Sequence, residues 1–162
     1  MKKLISTNPA KNFLKLREVP ISSRVEIEKK VKLAHDAKLK WKELGINKRT
    51  ELLEIVYREL KKKKRDFISL ITKEMGKPIK ESEMEFDESL EDLEWFIDNG
   101  KKCIEDEITL ENKTSLNKII YEPYGVVAVI LPWNYPLEMF IWGVIPNLIV
   151  GNTVIMKHSE QC

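Results

Sequence analysis

The segment from residue 126 to residue 157 constrains the fold of this chain more than any other part of the sequence. Residues 126–131, Val-Val-Ala-Val-Ile-Leu, form an apolar run rich in β-branched side chains and without polar alternation. Such a run is typical of a strand that is covered on both faces. Pro132 ends the run, so the pattern predicts a buried strand that stops before a turn.

A helix and a second strand are predicted after this turn. Pro136 suits the first turn of a helix, where its missing N–H costs nothing. Residues 137–150 are apolar nearly all round, which predicts a buried helix, and Gly151-Asn152 is typical of a helix end. Residues 153–157, Thr-Val-Ile-Met-Lys, form the next strand candidate. Strand, turn, helix and strand in this order predict one parallel βαβ unit and an α/β fold.

The edge where both predicted strands end is the candidate ligand site. In open parallel sheets, ligands bind outside the carboxyl ends of the strands. The turn of residues 131–136 and the segment of residues 157–160 both fall there. Asn134 brings a neutral hydrogen-bond donor between two prolines, while Lys157 and Glu160 bring a cation and a carboxylate. From the residues alone, Asn134 can equally be a helix cap and Lys157 an ordinary cation at a strand end.

Four motifs give the chain a resemblance to a known family. They are Glu-Met-Gly-Lys-Pro-Ile-Lys-Glu-Ser from residue 74, Glu-Pro-Tyr-Gly-Val-Val from residue 122, Pro-Trp-Asn-Tyr-Pro from residue 132, and Gly-Asn-Thr-Val-Ile-Met-Lys-His-Ser-Glu from residue 151. Residues from about 20 to 162 resemble the first third of an NAD(P)-dependent aldehyde dehydrogenase. The resemblance implies N-terminal helices followed by the first βαβ unit of the nucleotide-binding domain, so the chain is interpreted as a truncated N-terminal portion.

The resemblance also implies roles for individual residues. Asn134 matches the asparagine whose side-chain amide donates to the oxyanion of the reaction intermediate. Lys157 and Glu160 match residues that contact the adenine ribose of NAD or NADP. Trp133 can instead be a core residue, and His158 stands where the family often has proline, which puts the local turn in doubt. The implied cofactor-binding residues are Leu131, Pro132, Trp133, Lys157, Ser159 and Glu160.

The resemblance further implies that parts of the reaction machinery follow this stretch in the family. These are the glycine-rich turn, the general-base glutamate and the Gly-Gln-x-Cys nucleophile. Cys162 lies in Ser-Glu-Gln-Cys, which matches the cofactor-side segment, so it is not expected to be the nucleophile. The polypeptide alone is therefore expected to be inactive. The alternative is a non-catalytic remnant that binds a partner, such as a sister polypeptide that carries the remainder.

Substrate and partners follow from the resemblance and the composition. Met-Gly-Lys-Pro and Lys-His-Ser-Glu resemble succinate-semialdehyde dehydrogenases, so the expected partner is a small-molecule aldehyde.

A net charge of +2 indicates no nucleic-acid partner, and the basic run at residues 61–65 is expected to be a solvated helix end. Two cysteines and two histidines lack the spacing of a disulfide framework or a metal site. Polar residues after Met1-Lys-Lys-Leu-Ile argue against a signal peptide, and prolines interrupt the apolar zone of residues 125–150, so a cytoplasmic protein without a membrane partner is expected.

The rest of the chain divides into three predicted regions before the βαβ unit of residues 125–162. Residues 1–20 form a strand pair or an extended arm. Residues 21–104 form a helical region, and residues 105–124 form a polar segment with a short strand at 118–121. In the family, the last of these regions contributes to an oligomerisation arm, so a homo-oligomer is implied. The helices and the βαβ unit are expected to form one interrupted domain.

Helix boundaries and buried faces are predicted from capping and periodicity. The first helix has Ser23 as its N-cap with Glu26 in a capping box, and it ends at Gly45. The second begins near Asn47, the third at Asp66, and an acidic fourth helix spans about residues 78–101 with most of its carboxylates on a solvated outer face. Cys103 is expected to be buried. The predicted buried positions are Ile27, Val31, Ala34, Trp41 and Leu44; Leu52, Leu53, Val56 and Leu60; Leu70, Ile71 and Met75; and Ile79, Phe86, Leu90, Leu93 and Ile97.

Overall fold

The computed structural model describes residues 2–162 and has an α/β architecture. Met1, at the start of the predicted arm, lies outside the described residues. The helices and strands are β1 (Lys3–Asn8), β2 (Leu14–Pro20), α1 (Arg24–Glu43), α2 (Gly45–Lys62), α3 (Lys64–Met75), α4 (Ile79–Asn99), β3 (Glu107–Glu111), β4 (Leu116–Ile119), β5 (Val126–Ile130), α5 (Pro136–Val150) and β6 (Thr153–Lys157). Short 3-10 helices span Pro9–Lys11 and Lys102–Ile104.

The predicted βαβ unit is present. β5 and β6 pair in parallel, in a register that runs from Val126 opposite Thr153 to Ile130 opposite Lys157. Pro136 occupies the first turn of α5, and Gly151 closes the helix with a φ of 104°, a left-handed conformation that favours glycine. These local signals, two prolines and one glycine, account for the correct prediction of the element order. The prediction that the first strand is covered on both faces is wrong, because Ala128 and Ile130 of β5 are exposed and none of its residues is buried.

Asn152 joins the end of α5 to the start of the sheet. It is buried, and its side-chain Oδ1 accepts a hydrogen bond of 2.8 Å from the backbone N–H of Gly125. Its Nδ2 donates to the Asn147 side-chain oxygen at 3.2 Å. The hydroxyl of Thr153 then donates to the carbonyl of Ala34 on α1 at 2.9 Å. The Gly-Asn-Thr motif therefore ties the helix, both strands and α1 together at the amino end of the sheet.

Arg49 on α2 connects the carboxyl ends of α1 and α5. Its side chain is buried, with the residue 5% exposed, and Nε donates to the Ile149 carbonyl at 3.0 Å. Nη1 donates to the carbonyls of Lys42 and Trp41 at 2.9 and 3.3 Å. Burial lowers the pKa of the Arg49 guanidinium, but the group stays charged at neutral pH. Arg49 alone thus donates to three carbonyls in the last turns of α1 and α5, where carbonyls lack partners within their own helix.

The apolar core lies where α5 packs on α4, α2 and α3. One cluster consists of Leu53, Leu93, Ile141, Ile145 and Ile149, and a second consists of Ile68, Ile71, Phe86, Leu90 and Leu137. α5 is less completely covered than predicted, because Trp142 remains exposed. Since α5 contributes to both clusters, the helices before residue 100 and the βαβ unit share one packed interior.

Several residues predicted to be buried are exposed instead. Ile27 and Val31 on α1 and Leu44 at its C-cap are exposed, and no residue of that helix is buried. The same holds for Val56, Leu70, Ile79 and Cys103. Periodicity identifies an apolar face of a helix, but it does not tell whether another layer covers that face.

The element boundaries show where local signals succeed and fail. The Ser23 capping box is confirmed, since Glu26 N donates to Ser23 Oγ at 3.3 Å and Ser23 N donates to Glu26 Oε2 at 2.7 Å. Asn47 is wrong as an N-cap, because α2 already begins at Gly45, with Leu44 as its cap. α3 likewise begins before Asp66.

The strands outside the βαβ unit were only partly predicted. The strand pair within residues 1–20 is confirmed as the β1–β2 hairpin. The polar segment after residue 104 contains β3, which was missed, and the strand expected at 118–121 is β4, two residues earlier. All residues of both strands are exposed. Residues 107–111, Glu-Ile-Thr-Leu-Glu, do alternate polar and apolar side chains, which is a strand signal that the prediction did not use. Among the described residues, no helix is both long and apolar enough to cross a membrane.

The two-stranded sheet predicts how the 162-residue polypeptide behaves when it is expressed alone. Among residues 2–162, β5 and β6 have no other strand as a neighbour, and the apolar side chains of Ile130 and Met156 are exposed. Unpaired apolar edges are templates for association, so we expect aggregates or oligomers in size-exclusion chromatography with light scattering. Ile130→Lys should raise the monomer fraction, whereas Asn47→Lys, which adds the same charge at an exposed polar site on α2, should not. A monomeric polypeptide with a sharp cooperative unfolding transition would contradict this expectation and favour the non-catalytic alternative.

Candidate functional site

The two segments predicted to form the site lie together at one edge of the sheet. The strands end in register, and the N–H of Leu131 donates to the carbonyl of Lys157 at 3.0 Å. The turn of residues 131–136 and the segment of residues 157–160 therefore start from hydrogen-bonded neighbours. This edge is the carboxyl end of both strands, where open parallel sheets bind their ligands.

Asn134 is exposed on the turn, and the structure does not use it as a helix cap. The N-cap of α5 is Tyr135, which caps the helix with no side-chain hydrogen bond. The helix-cap alternative for Asn134 is therefore wrong. The backbone carbonyl of Asn134 accepts a hydrogen bond of 3.1 Å from Lys77 Nζ. The backbone of this residue is thus held from another part of the fold, while its side chain lies at the surface.

Glu85 supplies the negative charge at the start of α5. This residue of α4 is 0% exposed, and its Oε1 accepts a hydrogen bond of 3.1 Å from the backbone N–H of Leu137. A carboxylate at this position satisfies one of the free N–H groups of the first helical turn and interacts favourably with the helix dipole. Glu85 is an exception to the solvated outer face that was predicted for most carboxylates of the acidic helix. The sequence signal for this burial is the position of Glu85 on the apolar side of α4, between Ser82 and Ser89.

Lys77 connects Glu85 to the turn. Its side chain is only 13% exposed, and Nζ lies 2.7 Å from Glu85 Oε2. Besides donating to the Asn134 carbonyl, Nζ lies 4.1 Å from the centre of the Tyr135 ring, which is within the range of a cation–π contact. Lys77 belongs to the Gly-Lys-Pro motif, but the sequence contains no sign that it reaches a turn 57 positions later.

Lys157 and Glu160 form an exposed pair at the end of β6. Nζ and Oε2 are 2.8 Å apart, and the side chains are 60% and 64% exposed. The hydrogen bond from Lys157 is the main cause that holds the pKa of Glu160 below its usual range. An exposed pair of this kind contributes little to stability, so both groups remain available to a ligand. A ribose fits such a pair, because its hydroxyls accept from the ammonium and donate to the carboxylate.

The remaining predicted cofactor-binding residues differ in their surroundings. Ser159 is buried, and its Oγ accepts from the N–H of Gln161 at 3.2 Å, so it shapes the local turn. The ring of His158 lies beside it, with Nδ1 2.5 Å from the Ser159 carbonyl. Trp133 is 53% exposed, so its alternative interpretation as a core residue is wrong. Pro132 is also exposed, and Leu131 is half-buried.

An apolar cavity of about 380 Å³ lies beneath this edge, between α2, α3 and the turn. Leu131, Pro132 and Met156 line it on the sheet side, and Cys162 and Glu74 also border it. Burial, assisted by the charge of Glu74, raises the pKa of the Cys162 thiol. A thiol with a raised pKa stays protonated at neutral pH, which argues against a role as nucleophile.

Several carboxylates lie around the first turn of α5. Glu138, in the first turn of α5, is half-buried, and burial raises the pKa of its carboxyl group. The charges of Asp92 and Glu88 on α4 act in the same direction. Asp92 accepts a hydrogen bond of 2.6 Å from the indole of Trp142. Among residues 2–162, no group of three or more histidine, cysteine, aspartate or glutamate side chains is arranged to hold a metal ion.

Comparison with known proteins gives a consistent result along the whole chain. Residues 2–162 match the aldehyde dehydrogenase family. The succinate semialdehyde dehydrogenase [NAD(P)+] of Escherichia coli K12 is 33% identical over 158 residues, which cover 97% of this chain and 34% of that protein. The 3-sulfolactaldehyde dehydrogenase of Pseudomonas putida is 32% identical over 155 residues, with coverages of 96% and 32%.

Solved structures agree with the sequence matches. An NADP-dependent enzyme of E. coli superimposes with a TM-score of 0.91 at 30% identity, and the match covers 99% of this chain and 33% of that one. This chain therefore spans about a third of the length of the curated relatives that it matches.

Cys162 offers a direct test of the electrostatics at this edge. We expect iodoacetamide to modify it more slowly than a free cysteine at neutral pH, because the thiolate is the reactive form and burial, which raises the pKa of the thiol, opposes its formation. The rate should rise as the pH increases towards the raised pKa. Peptide mass spectrometry separates this site from the exposed Cys103, which serves as the internal control. Faster modification of Cys162 than of Cys103 at neutral pH would contradict the assignment.

Proposed function

Because this chain belongs to the aldehyde dehydrogenase family, we propose that it supplies the oxyanion donor and the ribose-binding end of an NAD(P)-dependent oxidation of an aldehyde to a carboxylic acid. The observation that carries the proposal is the pairing of two features at one sheet edge. A turn holds Asn134 by its backbone and leaves its side chain exposed, and the neighbouring strand ends in the Lys157–Glu160 pair. The Asn134 turn suits the reacting carbonyl group, and the Lys157–Glu160 pair suits the cofactor.

Asn134 is proposed to act on the aldehyde oxygen. When a nucleophile adds to an aldehyde, negative charge develops on this oxygen, and a donor that is already in position stabilises it without reorganisation. The Asn134 amide is neutral, so it donates at any pH and needs no counter-ion. The backbone of the turn is restricted by Pro132 and Pro136 on either side.

Lys157 and Glu160 are proposed to hold the adenine ribose of NAD or NADP. The bound cofactor would supply the hydride acceptor. Lys157 can donate to a ribose hydroxyl or to a 2′-phosphate, and Glu160 can accept from hydroxyls. Leu131, Pro132 and Trp133 are proposed to contact the cofactor from the turn, and Ser159 is proposed to shape the loop that carries Glu160.

Succinate semialdehyde is the substrate that we propose to test first. The E. coli relative is named for this aldehyde, and the Met-Gly-Lys-Pro and Lys-His-Ser-Glu motifs of this chain resemble that subgroup. We propose that the 162-residue polypeptide does not oxidise aldehydes alone, because the Gly-Gln-x-Cys nucleophile of the family is not among its residues.

A second candidate function, partner binding without catalysis, is favoured by one observation. The hairpin of β3 and β4 exposes the apolar side chains of Ile108, Leu110, Leu116 and Ile119. We propose that this hairpin takes part in an oligomer, either of identical chains or with a sister polypeptide. A cytoplasmic location without nucleic-acid or membrane partners, and the division into regions 1–20, 21–104, 105–124 and 125–162, remain proposals as well.

The oxyanion assignment predicts the effect of Asn134→Ala. The test uses an active dehydrogenase that contains residues 2–162, either as encoded or as a chimera completed with the rest of the E. coli relative. The rate of NAD(P)H formation in a single turnover should fall about 10²–10³-fold, the usual effect of removing one oxyanion donor. Asn134→Asp should be at least as harmful, because a carboxylate repels the oxyanion. The 162-residue polypeptide alone serves as the blank, and an unchanged single-turnover rate in the alanine variant would reject the assignment.

The ribose assignment predicts a different effect for Lys157→Ala. The Michaelis constant for NAD(P)+ should rise, while that for the aldehyde should stay near its original value, because the exposed ammonium group of Lys157 is proposed to bind the cofactor and not the aldehyde. Lys118→Ala is a suitable control, since Lys118 also forms an exposed ion pair, with Asp106, on the β3–β4 hairpin. Equal changes in both Michaelis constants would contradict the assignment.

A further inference from the structure

We propose that Lys77 and Glu85 are positioning residues for Asn134, through a buried ion pair that fixes both ends of the segment from Asn134 to Leu137. The inference rests on the proposed role of Asn134 as an oxyanion donor. It assigns a function to two residues of the helical region that lie outside the turn. Neither residue needs to touch the substrate for the effect, since both act through the backbone of the turn.

Glu85 fixes the helical end of the segment. Its carboxylate is fully buried on α4, and Oε1 accepts from the backbone N–H of Leu137 at 3.1 Å. The Ser89 hydroxyl donates to the backbone carbonyl of Glu85 at 2.6 Å, one turn further along α4. A fully buried carboxylate has few alternative positions, so the start of α5 is held at a defined place on α4.

Lys77 fixes the other end of the segment. Its Nζ binds Glu85 Oε2 at 2.7 Å and donates to the carbonyl of Asn134 at 3.1 Å. The same ammonium group lies over the Tyr135 ring at 4.1 Å from its centre. One carboxylate therefore controls both contacts: it binds Leu137 directly and Asn134 through Lys77.

This arrangement bears on the chemistry because the peptide of Asn134 sets the direction of its side chain. Pro132 and Pro136 restrict the turn on both sides, and Pro136 also restricts Tyr135 before it, but Trp133 and Asn134 have no such restriction. Without Lys77, the Asn134 carbonyl would be free to rotate towards water, and the amide would follow. A misplacement of about 1 Å at a reacting centre can cost about 10²-fold in rate.

Lys77→Met in the active dehydrogenase tests the inference. We expect the single-turnover rate of NAD(P)H formation to fall about 10- to 10²-fold, with the dissociation constant for NAD(P)+ changed less than about threefold. Lys77→Arg keeps a cationic donor and should restore the rate to within about threefold of the original. Lys64→Met is the matched control: Lys64 also binds a carboxylate on α4, Asp87 at 2.6 Å, and lies over the Phe86 ring, but it does not contact the turn. The control should keep the original rate.

A double variant separates positioning from stability. Lys77→Met alone leaves the Glu85 carboxylate buried without its partner, so the melting temperature should fall. In Lys77→Met/Glu85→Gln the buried charge is gone, and the glutamine oxygen can still accept from Leu137. The melting temperature should therefore recover, whereas the rate should stay low because the Asn134 carbonyl still lacks its donor. Recovery of the rate together with the melting temperature would show a purely structural role and overturn the inference.

The combination with Asn134→Ala distinguishes this inference from the proposed function. If Lys77 acts through Asn134, Lys77→Met should reduce the rate by less than about twofold in the Asn134→Ala background. Independent, multiplicative losses would overturn the inference and leave the role of Asn134 intact. An unchanged rate in Asn134→Ala alone would reject the proposed function itself.

Discussion

The buried carboxylate of Glu85 is the constraint on which the arrangement of the site depends. A fully buried charge needs partners, and removing one partner of a buried pair typically costs roughly 3–5 kcal/mol. Glu85 finds its partners in the first turn of α5 and in Lys77. The same carboxylate therefore determines where α5 starts on α4 and where the preceding turn runs. Asn134 owes its place at the sheet edge to this pair as well as to the strand that precedes it.

The other end of α5 is held in a comparable way. Arg49 donates to the carbonyl of Ile149, and the indole of Trp41 donates to the carbonyl of Leu148 at 2.9 Å. Asn152 then fixes the start of β6 against Gly125. Polar groups from the N-terminal helices thus hold both ends of α5. The contact between Asn152 and Gly125 supports the strand register, which places Lys157 beside the turn. The helical region and the βαβ unit are structurally dependent on each other for this reason.

Features set by neighbouring residues could be predicted from the sequence. The βαβ unit, the Ser23 capping box and the left-handed Gly151 follow from residues a few positions apart. Features set by distant contacts could not be predicted. The position of Glu85 on the apolar side of an acidic helix hinted at its burial, but its partners Leu137 and Lys77 could not be predicted. The apolar stripe of α1 looks like a core face, although none of its residues is fully buried.

The candidate site shows the same division. The sequence motifs correctly predicted that Asn134, Lys157 and Glu160 lie at one edge of the sheet, because strand ends and turns are local features. The contacts that hold the turn come from α4 and the segment before it, more than 45 positions earlier in the chain. Periodicity and capping contain no information about such a pairing. The chemical roles of the three residues rest on the family resemblance, since the surroundings of an exposed amide do not identify its ligand.

A crystal structure of an active dehydrogenase that contains residues 2–162, trapped as the covalent adduct with an aldehyde, would show whether Asn134 binds the oxyanion. We expect Asn134 Nδ2 to lie about 2.7–3.1 Å from the adduct oxygen. The Asn134 carbonyl should still accept from Lys77, and Leu137 should still donate to Glu85. An adduct oxygen held by other donors, with the Asn134 amide turned away, would show that Asn134 is not the oxyanion donor.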